Sequence, residues 1–243
     1  QNKLESGKKV ILIEAEPGHG KTSLMAYWSY GCQPWEHGDC ISFFISDEHN
    51  VDLSIYRDFL DQELGRIYPF LIGKNFNNLE DKLEFLNKLP LEGHPLFLLV
   101  DGLDESHSLG VLKRLLEGIK NHSWIRVILT SQPGQWEEAI PLQVEPEVFA
   151  LPLLGYNEMR GIAEKMLRGI GLGVESDEFL NCVIDLAEGA PLYLDLFFGD
   201  EQECQQRFVD FQKTGNLDAP RGWRRYLDHL VESILGEDES FAG

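Results

Sequence analysis

The sequence has no long apolar run, few cysteines and little positive charge. No stretch reaches the roughly 18 apolar residues of a membrane-spanning helix, and the N-terminus lacks the apolar segment of a secretory signal. Four cysteines in 243 residues are too few and too scattered for a disulfide framework, which is typical of a reducing compartment. We therefore expect a cytoplasmic protein that does not insert into a membrane.

The charge balance is strongly acidic. Forty-one acidic against 21 basic side chains give a net charge of −20. Because affinity for nucleic acids comes mainly from Lys and Arg at the phosphates, this balance predicts that the chain binds no nucleic acid. It also disfavours an anionic membrane surface. With 43% hydrophobic and 26% charged residues, the composition is that of a folded globular protein.

The first part of the chain alternates short apolar runs with helical patterns. The runs are continuously apolar, as expected for strands of a parallel sheet that is covered on both faces. They predict strands at 10–15, 41–46, 96–101, 125–131 and 148–153, with helices at 21–31, 51–65, 79–89 and 108–120. This alternation predicts a doubly wound, mostly parallel α/β sheet.

After residue 152 only helical patterns follow. Apolar stripes at helical spacing predict several helices, one of which starts at Pro191 and another at a capping box formed by Asp200 and Glu203. We therefore predict an α/β domain over 1–152 and a small all-helical domain over 153–243. A start at Gln1 and an end just past an amphipathic helix suggest a piece of a longer chain.

The strongest local motif is the segment 15–22, AEPGHGKT, between the first strand and the first helix. Gly18 and Gly20 allow the backbone to wrap a polyphosphate, and the N-terminal N–H groups of the helix point at the same anion. Lys21 would bind the β- and γ-phosphates, and the Thr22 hydroxyl would bind Mg²⁺. The motif predicts a phosphate loop, although Ala15 takes the place of its usual first glycine.

A second motif stands at the end of the third strand. The apolar run 96–101 delivers Asp101 at its carboxyl end, where ligands bind in open α/β sheets. Asp101 is predicted to hold Mg²⁺ together with Thr22. Asp104 and Glu105 follow within reach of the γ-phosphate, and we favour Glu105 as the general base. The alternative is that these acids merely cap the helix at 108–120.

Four motifs taken together resemble a known family. They are DGLDE at 101–105, VILTSQP at 127–133, EGAPLYL at 188–194 and LDAPRGW at 217–223. With the phosphate loop upstream, they are similar to the NACHT-type branch of the STAND ATPases, which are relatives of the AAA+ fold. The resemblance covers nearly the whole chain and implies that a winged-helix domain follows it.

The resemblance implies a weak ATPase that acts as a signalling switch. In the family, ATP or ADP with Mg²⁺ controls oligomerisation, and a signal of infection or stress passes to protein partners through other domains. Pro191 would pack on the adenine, and Gln132 stands where the family has a sensor arginine. The predicted nucleotide-binding residues are Gly18, His19, Gly20, Lys21, Thr22, Ser23, Gln132 and Pro191.

Two other functions stay open at this point. A neutral amide at Gln132 cannot replace the charge and planar fork of an arginine. It therefore favours a scaffold that binds a nucleotide without hydrolysing it, whereas the acidic pair Asp101 and Glu105 favours hydrolysis. A P-loop motor on nucleic acid is the third reading, and the net charge of −20 argues against it.

Overall fold

A computed structural model describes residues 9–30, 38–44, 53–89, 91, 94–102, 113, 116–117, 121–136, 145–171, 177–222 and 224–228. The elements of the first part of the chain are β1 Val10–Glu14, α1 Lys21–Ser29, β2 Asp39–Phe44, α2 Leu53–Ile67, α3 Leu79–Asn87, β3 Leu96–Asp101, β4 Ile125–Ser131 and β5 Glu147–Ala150. The later helices are α4 Tyr156–Gly169, α5 Asp177–Ala187, α6 Pro191–Phe198 and α7 Glu201–Thr214. Most of the predicted helix at 108–120 lies outside the described residues.

The five strands form one parallel sheet in the order β2-β3-β4-β1-β5. Both faces are buried: Val10 and Leu12 of β1 belong to one apolar cluster, whereas Ile11 and Ile13 belong to another. Burial on both faces explains why the strands are continuously apolar rather than alternating. The predicted α/β class with a parallel sheet is confirmed.

The last strand is shorter than the sequence predicts. It ends at Ala150 rather than at residue 153, although the Leu151 N–H still donates to the Glu14 carbonyl at 2.8 Å. Pro152 has no N–H group and cannot continue the hydrogen-bond ladder. The strand therefore stops beside the end of β1, where the phosphate loop begins.

The chain divides into two compact units. Unit 1 comprises 1–16 and 21–151, and unit 2 comprises 152–243 with the loop tip Pro17–Gly20. Unit 2 has its own core, in which Phe179, Tyr193 and Phe197 are buried. None of the helices in the described residues is both long enough and apolar enough to cross a membrane.

The helix starts predicted for the second part follow from local chemistry. Pro191 is the first residue of α6, where a missing N–H group costs nothing. Asp200 caps α7, and its side chain accepts a hydrogen bond from the Glu203 N–H at 2.9 Å, which confirms the predicted helix start. A left-handed Gly215 at φ 68° ends α7.

Burial in unit 1 leads to a testable prediction at Tyr68. The hydroxyl is buried and has no hydrogen-bond partner among the described residues. Burial, assisted by the charge of Asp39, raises the pKa of Tyr68 from 10.0 to about 12. The folded state therefore resists ionisation, so this contribution to stability is complete below pH 10.0 and is lost as the pH rises towards 12.

Tyr68→Phe is therefore expected to raise the free energy of unfolding by about 1 kcal/mol at neutral pH, because it removes an unsatisfied buried hydroxyl. It should also reduce the loss of stability at about pH 11. Urea denaturation at both pH values measures the two effects. Tyr30, which is 89% exposed, provides the control Tyr30→Phe, which should change neither. A destabilised Tyr68→Phe protein would contradict the prediction.

Candidate functional site

The predicted phosphate loop adopts the backbone that its glycines allow. Gly18 and Gly20 have φ angles of 80° and 87°, in the left-handed region that other residues avoid. The helix α1 begins directly afterwards at Lys21, so its first N–H groups have no partner within the helix. Such N–H groups at a helix N-terminus favour bound anions. Ala15, in the position of the usual glycine, is buried at the end of β1.

The Lys21 side chain folds back over the loop. Its ammonium donates to the Ala15 carbonyl at 2.7 Å and to the Glu16 carbonyl at 3.3 Å. These contacts hold the positive charge beside the loop backbone, where a phosphate would need it. Thr22 and Ser23 in the first turn of α1 are exposed, and His19 at the loop tip is half-buried.

Asp101 ends β3 and is almost completely buried, with 6% of its surface exposed. Its Oδ1 accepts a hydrogen bond of 2.5 Å from the Thr130 hydroxyl on the neighbouring strand β4. The Thr130 Oγ1 in turn accepts a hydrogen bond of 3.1 Å from the Gly102 N–H. Gly102 has a φ angle of 82°, which suits a turn directly after the strand. Asp104 and Glu105 lie outside the described residues.

The segment after β4 is fastened to the end of β1. The Glu14 carboxylate accepts hydrogen bonds from the Trp136 indole at 2.6 Å and from the Gly134 N–H at 3.2 Å. Gln132 precedes these two residues in the same segment and is half-buried, and its carbonyl accepts a hydrogen bond from the Gln135 N–H at 3.2 Å. The predicted sensor position therefore stands on a loop that β1 holds in place.

Pro191 and its neighbour contact the tip of the phosphate loop within unit 2. The Leu192 N–H donates to the Gly18 carbonyl at 3.3 Å. A Cβ atom built on Gly20 would lie 4.0 Å from the Pro191 ring. Because proline has no N–H group, the first free donor of α6 belongs to Leu192, and the loop uses it.

The sheet order brings the predicted site residues of unit 1 to one edge. The strands β3, β4 and β1 are adjacent, and their carboxyl ends carry Asp101, the segment with Gln132 and the phosphate loop. Sequence reasoning missed Glu14 and Thr130. Thr130 could have been noticed as a hydroxyl that directly follows the apolar run 127–129, but its partner is 29 residues away in the chain.

Oxygen ligands beside an anion-binding loop, of which Asp101 is buried and Thr22 is exposed, fit a nucleotide with a divalent cation. Mg²⁺ prefers hydroxyl, carboxylate and phosphate oxygens, which Thr22, Asp101 and a nucleotide would provide. The glycine backbone, the start of α1 and the Lys21 ammonium suit the phosphates. The donor set therefore fits the group that the sequence predicts.

Solved structures with a similar fold are P-loop ATPases and their relatives. A Walker-type ATPase of Pyrococcus abyssi has 16% sequence identity and a TM-score of 0.54, with 99% of this chain covered and 73% of that one. Drosophila ORC bound to DNA has 18% identity and a TM-score of 0.51, with 94% and 62% covered. Cdc6p of Pyrobaculum aerophilum has 15% identity and a TM-score of 0.50, with 81% and 56% covered. At these identities the likeness is one of fold, and the fold is that of an AAA+-type P-loop NTPase.

The prediction that the chain binds no nucleic acid is wrong, because an acidic net charge does not exclude such binding. It rested on a net charge of −20, yet the same fold occurs in Drosophila ORC, whose structure is of a complex with DNA. The physical reason is that the net charge sums the whole surface, whereas phosphates are contacted by local groups of basic side chains.

A family profile matches the first part of the chain. The profile is that of the nephrocystin 3 N-terminal region, and it covers residues 1–132, which include the phosphate loop and Asp101. A search of curated proteins gives no match. Because more than half of the 243 residues match the profile, the chain belongs to the nephrocystin 3 N-terminal family.

Proposed function

We propose that the chain is an ATP- and Mg²⁺-dependent signalling switch of the NACHT-type STAND class. The observation that supports this most is the edge formed by three adjacent strands, β1, β4 and β3, which end in the phosphate loop, the Gln132 segment and the buried Asp101. The motifs shared with that class support the finer assignment. Immune, defence or stress signalling, self-association and protein partners outside this segment are part of the same proposal.

Each proposed role rests on the chemistry of the backbone or side-chain group that performs it. Backbone N–H groups of the loop and the Lys21 ammonium bind the phosphates, while Thr22 and Asp101 hold the cation. When bound, Mg²⁺ supplies positive charge that offsets the charge of the phosphates. Glu105, or failing that Asp104, orients and deprotonates the attacking water.

The remaining predicted residues make further contacts with the phosphates and the adenine. Ser23 and His19 assist at the phosphates, Gln132 faces the γ-phosphate, and Pro191 packs on the adenine. The Gln132 amide carries no charge, so hydrolysis is expected to be slow. Bound ATP would then persist in the site for long periods.

The bonding of the loop tip within unit 2 supports the switch. The loop tip Pro17–Gly20 belongs to unit 2, and the Gly18 carbonyl is bonded to the Leu192 N–H at 3.3 Å. A phosphate that uses the N–H groups of this loop acts on residues bonded to α6. If ATP and ADP bind the loop differently, they shift the conformational equilibrium by that difference in affinity.

The first experiment asks which nucleotide the purified protein contains. Denaturing the protein and separating the released nucleotide by chromatography should yield ADP or ATP. Titration of nucleotide-free protein with a fluorescent ATP analogue, with Mg²⁺ and then with EDTA, should show tighter binding with Mg²⁺. Absence of nucleotide both in the purified protein and in the titration would rule out the proposal.

The scaffold alternative is distinguished from the switch by the turnover of ATP, which a scaffold does not hydrolyse. It is favoured by Gln132, because a neutral amide stabilises the transition-state charge less than an arginine does. Under the switch proposal, Glu105→Gln should lose most of the slow ATP turnover while it retains nucleotide binding. Equal phosphate release by the wild type and the variant would contradict the role of Glu105, and its absence from both would favour the scaffold.

A further inference from the structure

Thr130 is a buried hydroxyl that no predicted role uses. It lies in β4 between Leu129 and Ser131, and 0% of its surface is exposed. Its Oγ1 makes two hydrogen bonds, one to the Asp101 carboxylate at 2.5 Å and one from the Gly102 N–H at 3.1 Å. A buried polar side chain in a central strand therefore bridges the last residue of β3 and the first residue of the turn.

The two hydrogen bonds fix the direction of the hydroxyl. A threonine hydroxyl has one proton to donate, and the Gly102 N–H already occupies an acceptor position on the oxygen. The proton must therefore point to Asp101 Oδ1. Since Thr is branched at Cβ and stiff about χ1, the strand itself holds the oxygen in place.

We propose that Thr130 is a positioning residue for the divalent-cation site at Asp101. Its hydroxyl donates a hydrogen bond to Asp101 Oδ1. This hydrogen bond restrains rotation of the carboxylate and leaves Oδ2 available for a metal ion or its water. Thr130 contacts neither cation nor nucleotide under this proposal, and it acts only through Asp101. The inference rests on the proposed function, which gives Asp101 its role at the metal.

A merely structural role makes a different prediction. If Thr130 only satisfies a buried carboxylate, removing the hydroxyl lowers stability and weakens nucleotide binding alike with and without Mg²⁺. If it positions a metal ligand, the loss appears in the response to Mg²⁺. Partners of metal ligands typically contribute 10- to 100-fold to metal affinity.

The experiment compares Thr130→Val, which keeps the shape of the side chain, with Thr130→Ser, which keeps the hydroxyl. Each full chain is titrated with MgCl₂ in the presence of a fluorescent, non-hydrolysable ATP analogue, and nucleotide affinity is measured separately in EDTA. We expect Thr130→Val to need about tenfold more Mg²⁺ for half-saturation, with its affinity in EDTA unchanged. Thr130→Ser should behave as the wild type.

A double-mutant cycle with Asp101→Asn tests whether Thr130 acts through Asp101. The effect of Thr130→Val on half-saturation by Mg²⁺ should disappear once the carboxylate is gone. Should the valine variant not fold, Thr130→Ala removes the same hydroxyl without placing a methyl group against the carboxylate, and it is judged by the same criteria.

The outcomes separate this inference from the function on which it rests. If the wild type responds to Mg²⁺ and Thr130→Val responds at the same concentration, the positioning role is wrong and the proposed function stands. An equal loss of nucleotide affinity in EDTA and in Mg²⁺ also contradicts the positioning role and indicates a structural role for Thr130. If the wild type shows no Mg²⁺-dependent uptake of nucleotide, the proposed function fails and the inference fails with it.

Discussion

Lys21→Ala is expected to weaken binding of ATP at least about 100-fold. The ammonium contributes charge-assisted hydrogen bonds, each of about 1.5–3 kcal/mol, and a loss of about 3 kcal/mol corresponds to roughly that factor. In the structure Lys21 donates to the Ala15 and Glu16 carbonyls at 2.7 and 3.3 Å, so its charge already lies at the loop. Titration with a fluorescent ATP analogue in the presence of Mg²⁺ measures the change.

Lys88→Ala is the matched control for this substitution. Lys88 is an exposed residue at the end of α3, where it pairs with Glu84 at 3.1 Å, and its removal changes the net charge by the same amount. Because exposed ion pairs contribute little, its stability and its nucleotide affinity should both remain close to the wild type. Undiminished binding by Lys21→Ala would show that the loop at 15–22 does not hold the phosphates.

Arg207→Ala is expected to lower the free energy of unfolding of unit 2 by about 3 kcal/mol. Arg207 lies on α7, and only 12% of its side chain is exposed. Its guanidinium donates to the Glu203 carboxylate and to the Tyr226 hydroxyl, and it lies 5.1 Å from the ring centres of Phe197 and Tyr226. The alanine variant loses charged hydrogen bonds and two cation–π contacts together.

Two further variants show whether the arginine fork matters. Arg207→Lys keeps the charge without the planar fork, so an intermediate loss is expected. Arg168 on α4 is exposed and forms a looser pair with Glu164 at 3.6 Å, so Arg168→Ala should cost no more than about 0.5 kcal/mol. Urea denaturation followed by far-ultraviolet circular dichroism measures all three. Equal effects of the two alanine variants would contradict the proposed importance of the Arg207 contacts.

Much of the fold could be predicted because its signals are local. A buried strand in a parallel sheet is a short apolar run, and the run LFLLVD predicted β3 at Leu96–Asp101 without error. Helix starts at Pro191 and after Asp200 depend on capping groups within a few residues. The end of β5 was less accurate, because the apolar run continues past Pro152, whose missing N–H group ends the hydrogen-bond ladder.

The nucleic-acid prediction failed for a related reason. Net charge is a property of the composition, whereas binding depends on which charges a fold gathers on one surface. Neither the sequence order nor the total charge of −20 contains that arrangement.

The sequence alone determined the class of the sheet, the phosphate loop and the acid at the end of β3, because each is encoded in consecutive residues. Only the tertiary structure decided that the Thr130 hydroxyl is bonded to Asp101, that Glu14 holds the segment after β4, and that the Leu192 N–H is bonded to Gly18. These contacts join residues that are far apart in the chain. They form only when strand order and register bring those residues together, and a local pattern carries no record of that pairing.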